Sequence, residues 1–193
     1  MPPISPVTKA FMLACVGMFC LFSLASDFEP YFMLWPLQSG LFQPWQVVTY
    51  AFLHANTWHL FFNMLGLWMF GNELERVWGQ KRYLQILAAS ILSAAAVQLV
   101  FTLLFHSMAP TVGASGAIFG LLLSFGMLFP DRIIVPLFPP IPMKAKVFVF
   151  IFGGLELVLG VSNGVGANVA HFAHLGGMLG AWLLIRYWRS SRR

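Results

Sequence analysis

Polar and charged positions divide the chain into six apolar segments, at residues 7–26, 57–73, 83–106, 115–129, 147–160 and 168–188. A hydrocarbon core of ~30 Å takes about 20 helical residues, and the six segments run from 14 to 24 residues. In the first, Lys9 is the only charge and stands at the end. The pattern predicts an all-α, polytopic membrane protein with six transmembrane helices in a single membrane-embedded domain, residues 1–193. It shows no internal repeat and leaves no room for a separate soluble domain. Residues 27–56 are long and apolar for an aqueous connection. They carry Trp35, Pro36, Phe42, Pro44 and Trp45, types that favour the headgroup region. Two readings of this loop stand equal: a segment lying partly in the outer interface, or an ordinary loop packed on the helices.

Composition agrees with the pattern. Only 9% of residues are charged and 59% are hydrophobic, whereas soluble domains carry roughly 25% charged residues. Too few charges remain to coat a surface facing water. The net charge of +5 is dispersed as Lys9, Arg76 to Arg82, Arg132 to Lys146 and Arg186 to Arg193, with apolar blocks between. That distribution argues against nucleic-acid binding and for basic loops flanking membrane spans. With a cytoplasmic N-terminus, every basic residue falls on one side, because 27–56, 107–114 and 161–167 contain no Lys or Arg. The expected location is therefore a bacterial-type inner (plasma) membrane with both termini cytoplasmic. Cys15 and Cys20 lie in one apolar segment and imply neither a disulfide framework nor a metal site.

A polar side chain in hydrocarbon is costly unless it is paired, so such residues are candidates for function. Four stand out on the outer halves of three spans. His59 and Asn63 share a face of the second helix by their spacing. Ser115 lies in Gly113-Ala114-Ser115-Gly116 at the start of the fourth, and His174 in Ala173-His174-Leu175-Gly176-Gly177 early in the sixth. The fourth segment, at 1.5 Å per residue, covers only ~22 Å. Anchored at its inner end near Asp131 and Arg132, it leaves Ser115 ~8 Å below the outer surface of a ~30 Å core. The same rise places Asn63 and His174 at a similar depth of ~9 Å.

Chemistry connects these groups. A serine hydroxyl is a poor nucleophile until a base takes its proton, and neutral histidine is the commonest such base. A serine near a helix N-terminus is surrounded by unsatisfied backbone N–H groups, the donors that an oxyanion needs. His59 and Asn63 are side-chain donors at the same level. The acidic residues near the outer side are Asp27 and Glu29 in the first loop, so a Ser-His dyad is more economical than a triad. Gly113, Gly116 and Gly120 around the serine, with Gly176, Gly177 and Gly180 around the histidine, would let the fourth and sixth helices approach closely.

These residues together resemble the rhomboid proteases. Trp45 to His54, followed by His59-Leu60-Phe61-Phe62-Asn63, is similar to that family's first-loop and second-helix signature. Gly113-Ala114-Ser115-Gly116 matches its Gly-x-Ser-Gly motif, and Ala173-His174-Leu175-Gly176-Gly177 its Ala-His-x-x-Gly motif. Glu75-Arg76-Val77-Trp78-Gly79 also looks like its loop after the second helix. The resemblance covers roughly residues 45–181 and implies a minimal six-helix bacterial form with a rhomboid-like helical bundle. It implies Ser115 as nucleophile, His174 as general base, and His59, Asn63 and the Ser115 N–H as oxyanion donors. It implies cleavage of single-span membrane proteins in or near their transmembrane segments, with no metal, no cofactor and no obligate partner subunit beyond the lipid bilayer. One position departs: Gln46 stands where the family often has arginine, which calls the stability or orientation of the first loop into question.

Several residues compete for these roles. His171 lies three residues before His174, and the motif, through Gly177, decides for His174. His54 reads as a loop or cap histidine and His106 as an interfacial one. Glu156, in the middle of the fifth span, has no task in a dyad. A rival function is a metal transporter using His54, His59, His171 and His174, since imidazole suits zinc or copper. A second rival is a catalytically silent relative that binds membrane proteins, which would be expected to lack the serine or the histidine.

Overall fold

The computed structural model describes residues 3–137, 139–162 and 171–191. It is a helical bundle, with α1 (Pro6–Leu24), a short α2 (Gln46–Thr49), α3 (Thr57–Gly66), α4 (Asn72–Leu104), α5 (Ser115–Leu128), α6 (Ala145–Ser162) and α7 (His171–Ser190). Among the described residues, three helical stretches, Pro6–Leu24, Thr57–Leu104 and Ala145–Ser162, are long and apolar enough to cross a membrane. The first three residues of the sixth expected segment, 168–170, lie outside the described residues, as does most of the loop 161–167.

The second and third expected segments form one continuous helical stretch. α3 passes through a π-helical turn, Leu67–Gly71, into α4. At 1.5 Å per residue that stretch would measure ~70 Å if straight, more than twice a hydrocarbon core. It is broken at Gly79, whose backbone is far from helical (φ +75°, ψ 165°). A positive φ costs glycine little and other residues more, which accounts for glycine at this corner. The break separates two limbs close to where the charges Glu75, Arg76, Lys81 and Arg82 divide the pattern. One further element was not expected. Ile133–Ile134 (β1) and Met143–Lys144 (β2) pair antiparallel in the loop between α5 and α6.

α1 is docked by a buried carboxylate. Glu75, 3% exposed, accepts hydrogen bonds from the Val7 N–H (2.9 Å), the Thr8 N–H (2.8 Å) and the Thr8 hydroxyl (2.8 Å). Those are orphan donors in the first turn of α1, where the helix dipole also favours negative charge. The adjacent Arg76 donates to the Pro3 carbonyl. The Glu75-Arg76 pair thus ties the start of α1 to α4.

Gln46 is 1% exposed and holds the first loop together. Its carbonyl oxygen accepts from the N–H groups of Trp35 (3.2 Å) and Gln43 (3.1 Å). Its amide donates to the carbonyls of Tyr31 (3.3 Å) and Leu41 (3.2 Å). Two acceptor sites and two donors exhaust the capacity of a glutamine. The doubt raised by its replacement of arginine therefore does not extend to loop order. The same loop turns Phe28, Tyr31, Leu37, Leu41 and Trp45 outward.

The core lies where α4, α5 and α7 meet, and α7 packs most extensively on the other two. Small residues set the spacing. A methyl on Gly116 would stand 2.7 Å from Ala94 Cβ, and one on Gly176 would stand 2.8 Å from the Ser93 carbonyl oxygen. At Gly120 it would collide with Ser90, at Gly180 with the Ala89 carbonyl, and at Gly177 with the Gly116 carbonyl. Backbones in contact give dispersion packing without a hydrophobic driving force between helices. α6, by contrast, is peripheral and turns Phe150, Leu155, Leu157, Val158 and Val161 outward.

Candidate active site

The contact of Gly116 with Gly177 brings together the residues beside them. Ser115 is the first residue of α5 and His174 is the fourth of α7. His174 Nε2 lies 2.7 Å from Ser115 Oγ. The histidine is 8% exposed and the serine half-buried. Phe119, one turn after Ser115, stacks parallel on the His174 ring (centroids 4.4 Å apart, planes 8° apart). That stacking confines polar contacts of the imidazole to its edge. Sequence reasoning missed Phe119, although the one-turn spacing from Ser115 was visible.

His59 reaches the same place from α3. Asn56 caps that helix, its side chain accepting from the His59 N–H at 2.9 Å. His59 Nδ1 accepts weakly from the Ala55 N–H (3.4 Å), which puts the ring proton on Nε2. A methyl on Gly113 would lie 2.7 Å from His59 Nε2 and 3.6 Å from Ser115 Oγ. Gly113 has φ +126°, so both the space and the backbone there exclude a side chain. The His59 N–H donor therefore faces the mouth of the serine site. Asn63 is buried but donates through Nδ2 to the His59 carbonyl (2.7 Å), and among the described residues its own Oδ1 has no partner. His54 is buried with its ring edge-on to His59, 5.1 Å away. His106 ends the stretch after α4 with φ +53°.

Glu156 requires a correction. No acidic residue was expected near the histidine, yet Oε2 of Glu156 on α6 lies 2.6 Å from His171 Nδ1 and 2.9 Å from His174 Nδ1. The first contact is an aligned hydrogen bond. The second is close but off the ring N–H axis, so that among the described residues His174 Nδ1 has no aligned partner.

The four-histidine cluster imagined for a transporter does not form. Among the described residues, the ligand atoms that converge are those of Glu156, His171 and His174, all within 4.8 Å of one another. Two imidazoles and a carboxylate are a donor set that could hold a metal ion. One of them, however, is the histidine whose other nitrogen faces Ser115.

Comparison with known proteins identifies the family. The rhomboid domain model matches residues 41–191. The chain is 28% identical over 190 residues to the rhomboid protease GlpG of Serratia proteamaculans, covering 97% of this chain and 64% of that protein. It is 27% identical over 192 residues to the rhomboid protease GlpG of Yersinia pestis, covering 97% of this chain and 65% of that one. The chain thus spans a little under two thirds of the length of these relatives. With the family match extending over most of its length, the chain belongs to the rhomboid family of membrane proteins.

Proposed function

We propose that this chain is an intramembrane serine endopeptidase that cleaves single-span membrane proteins in or near their transmembrane segments. The observation that carries the reading is the 2.7 Å contact between Ser115 Oγ and His174 Nε2, joining two helices at a buried level. Neutral His174 takes the Ser115 proton on Nε2 while Oγ bonds to the scissile carbonyl carbon, and the carbonyl π electrons move to oxygen. The oxyanion is met by the N–H groups at the start of α5 and by His59 Nε2–H, with Asn63 as a further donor once its amide turns from the His59 carbonyl. Collapse of this intermediate breaks the C–N bond, and His174 returns its proton to the leaving nitrogen. Water then hydrolyses the acyl-enzyme by the same steps. The chemistry uses no metal or cofactor.

The same reading takes the chain as one domain with six membrane spans: α1, the limb of α3 and α4 before Gly79, the limb after it, α5, α6 and α7. Both termini and all basic loops then lie on the cytoplasmic side of a bacterial inner membrane. A short α5, ~21 Å by its rise, would sink Ser115 below the outer surface, where water can still enter from that side.

A fluorophosphonate probe tests the assignment. On the purified chain in detergent, we expect covalent labelling at Ser115, located by mass spectrometry, and its loss in His174→Ala. Labelling elsewhere, or none on a folded protein, would refute it. Bound metal in stoichiometric amount, lost with His171, would favour a metal-binding protein instead.

A further inference from the structure

Glu156, with its side chain 13% exposed, is an ionisable group that the dyad leaves unused. Resting on the assignment of Ser115 and His174 above, we infer that Glu156 is a positioning residue for this site: its carboxylate fixes the His174 tautomer and faces the imidazolium formed during catalysis.

The argument begins with the proton on His174. A neutral imidazole has one N–H, so Nε2 can accept the Ser115 proton only if Nδ1 carries the hydrogen. Phe119 covers a face of the ring, so both nitrogens must find partners in the ring plane. Nε2 has Ser115, and the nearest acceptor at Nδ1 is Glu156 Oε2, 2.9 Å away. The carboxylate does not hang freely there. His171 Nδ1 bonds the same oxygen at 2.6 Å and sits one turn before His174 on α7. His171 thus acts as a clamp, and Glu156 bridges α6 to α7 beneath the imidazole.

A carboxylate at this place has a consequence in the reaction. When Ser115 passes its proton to Nε2, a positive charge appears on His174 in apolar surroundings. The Glu156 carboxylate, 2.9 Å from His174 Nδ1, is placed to compensate it. The proton on Nδ1 stays on His174, as in serine hydrolases that carry a third residue. The titratable groups that face His174 are Glu156 and His171 beside Nδ1, and His59 on the far side of Ser115.

The experiment compares wild type with Glu156→Gln, Glu156→Asp and Ser115→Ala in the full chain in detergent. It reads the rate of fluorophosphonate labelling from about pH 5 to 9, the kcat and KM for a single-span model substrate, and the melting temperature. Glu156→Gln should slow labelling by about 10²-fold or more, lower kcat and leave KM within about twofold. Its acid limb should move to lower pH, because the imidazolium has lost its carboxylate. Glu156→Asp should regain at least about tenfold of the lost rate. A purely structural clamp would change melting and leave the pH profile in place, and that result overturns the inference. So would a folded Glu156→Gln labelling within about twofold of wild type, or a bound metal whose chelation alters the rate. If the wild type itself is not labelled at Ser115, the serine-protease assignment fails first. If it is labelled and Glu156→Gln matches it, only the role of Glu156 fails.

Discussion

Gly177→Ala is the substitution that most sharply tests how packing builds the site. An added Cβ would run into the Gly116 carbonyl and stand 2.6 Å from its carbon and 3.2 Å from Gly116 Cα. Non-bonded carbons rest at ~3.5–4.0 Å, so α5 and α7 must part locally by about 1 Å. Gly116 is the neighbour of Ser115, and Gly177 lies one turn after His174. An opening of that size would take the 2.7 Å Ser115–His174 contact beyond ordinary hydrogen-bond reach. A misplacement of ~1 Å costs about 10²-fold in rate. Overpacking costs ~1–3 kcal/mol, offset by up to ~1 kcal/mol from the better helix propensity of alanine. The assay is cleavage of a single-span model substrate alongside thermal melting in detergent. Gly17→Ala is the control, because a Cβ there meets nothing within 4 Å. We expect Gly177→Ala to lose at least about 10²-fold in kcat with a lowered melting temperature, and Gly17→Ala to lose neither. A Gly177→Ala protein within about threefold of wild-type rate would refute the reasoning, since the helices would then have room to slide.

Other substitutions test the scaffold. Gln46→Leu removes the side-chain partner of the Trp35 and Gln43 N–H groups and of the Leu41 carbonyl, while the Tyr31 carbonyl keeps Trp45 Nε1–H; at up to about 1–3 kcal/mol for each group that water does not reach, proteolysis within residues 31–46 should rise and the melting temperature fall. Glu75→Ala removes three hydrogen bonds from the start of α1, and at ~1.5–3 kcal/mol per charge-assisted bond it should release α1 as read by hydrogen exchange at Thr8. Asn56→Ala should cost ~1 kcal/mol as a lost cap and raise KM or lower kcat through His59, measured on the same substrate. Asp131, outside the spans, has its carboxyl held below the usual range, chiefly by hydrogen bonds from Lys146 and then Lys144. A depressed folded-state pKa means stability present above the ordinary carboxylate range and lost as pH falls through the lowered value. The melting difference between wild type and Asp131→Asn should therefore vanish in strong acid.

Much of this architecture was legible in the chain. Apolar segments bounded by charges located the helices, because hydrocarbon tolerates few charges and tight length limits. Ser115 fell at the first residue of α5, where the glycine-rich turn ends. Small residues foretold which helices touch, since only glycine, alanine and serine permit such approach. What the sequence could not reveal was rotation of one helix against another. Glu156 lies 15 residues before His171, and nothing in its local pattern says which face it presents. Counting from Ala145, it is about 16 Å along α6, past the middle of that helix and level with the start of α7, which is why it meets the histidines. Gln46 was misleading for a different reason. Its family position suggested arginine, whereas a planar amide with two donors and two acceptor sites suits four surrounding backbone groups equally well.

The central claim is that Ser115 attacks the peptide bond. Its most direct test is cleavage of a reconstituted single-span model substrate by the wild type and by Ser115→Ala at equal folded concentration. The account predicts a defined cut by the wild type and none above background by Ser115→Ala. Cleavage that persists in a purified, correctly folded Ser115→Ala protein would contradict it.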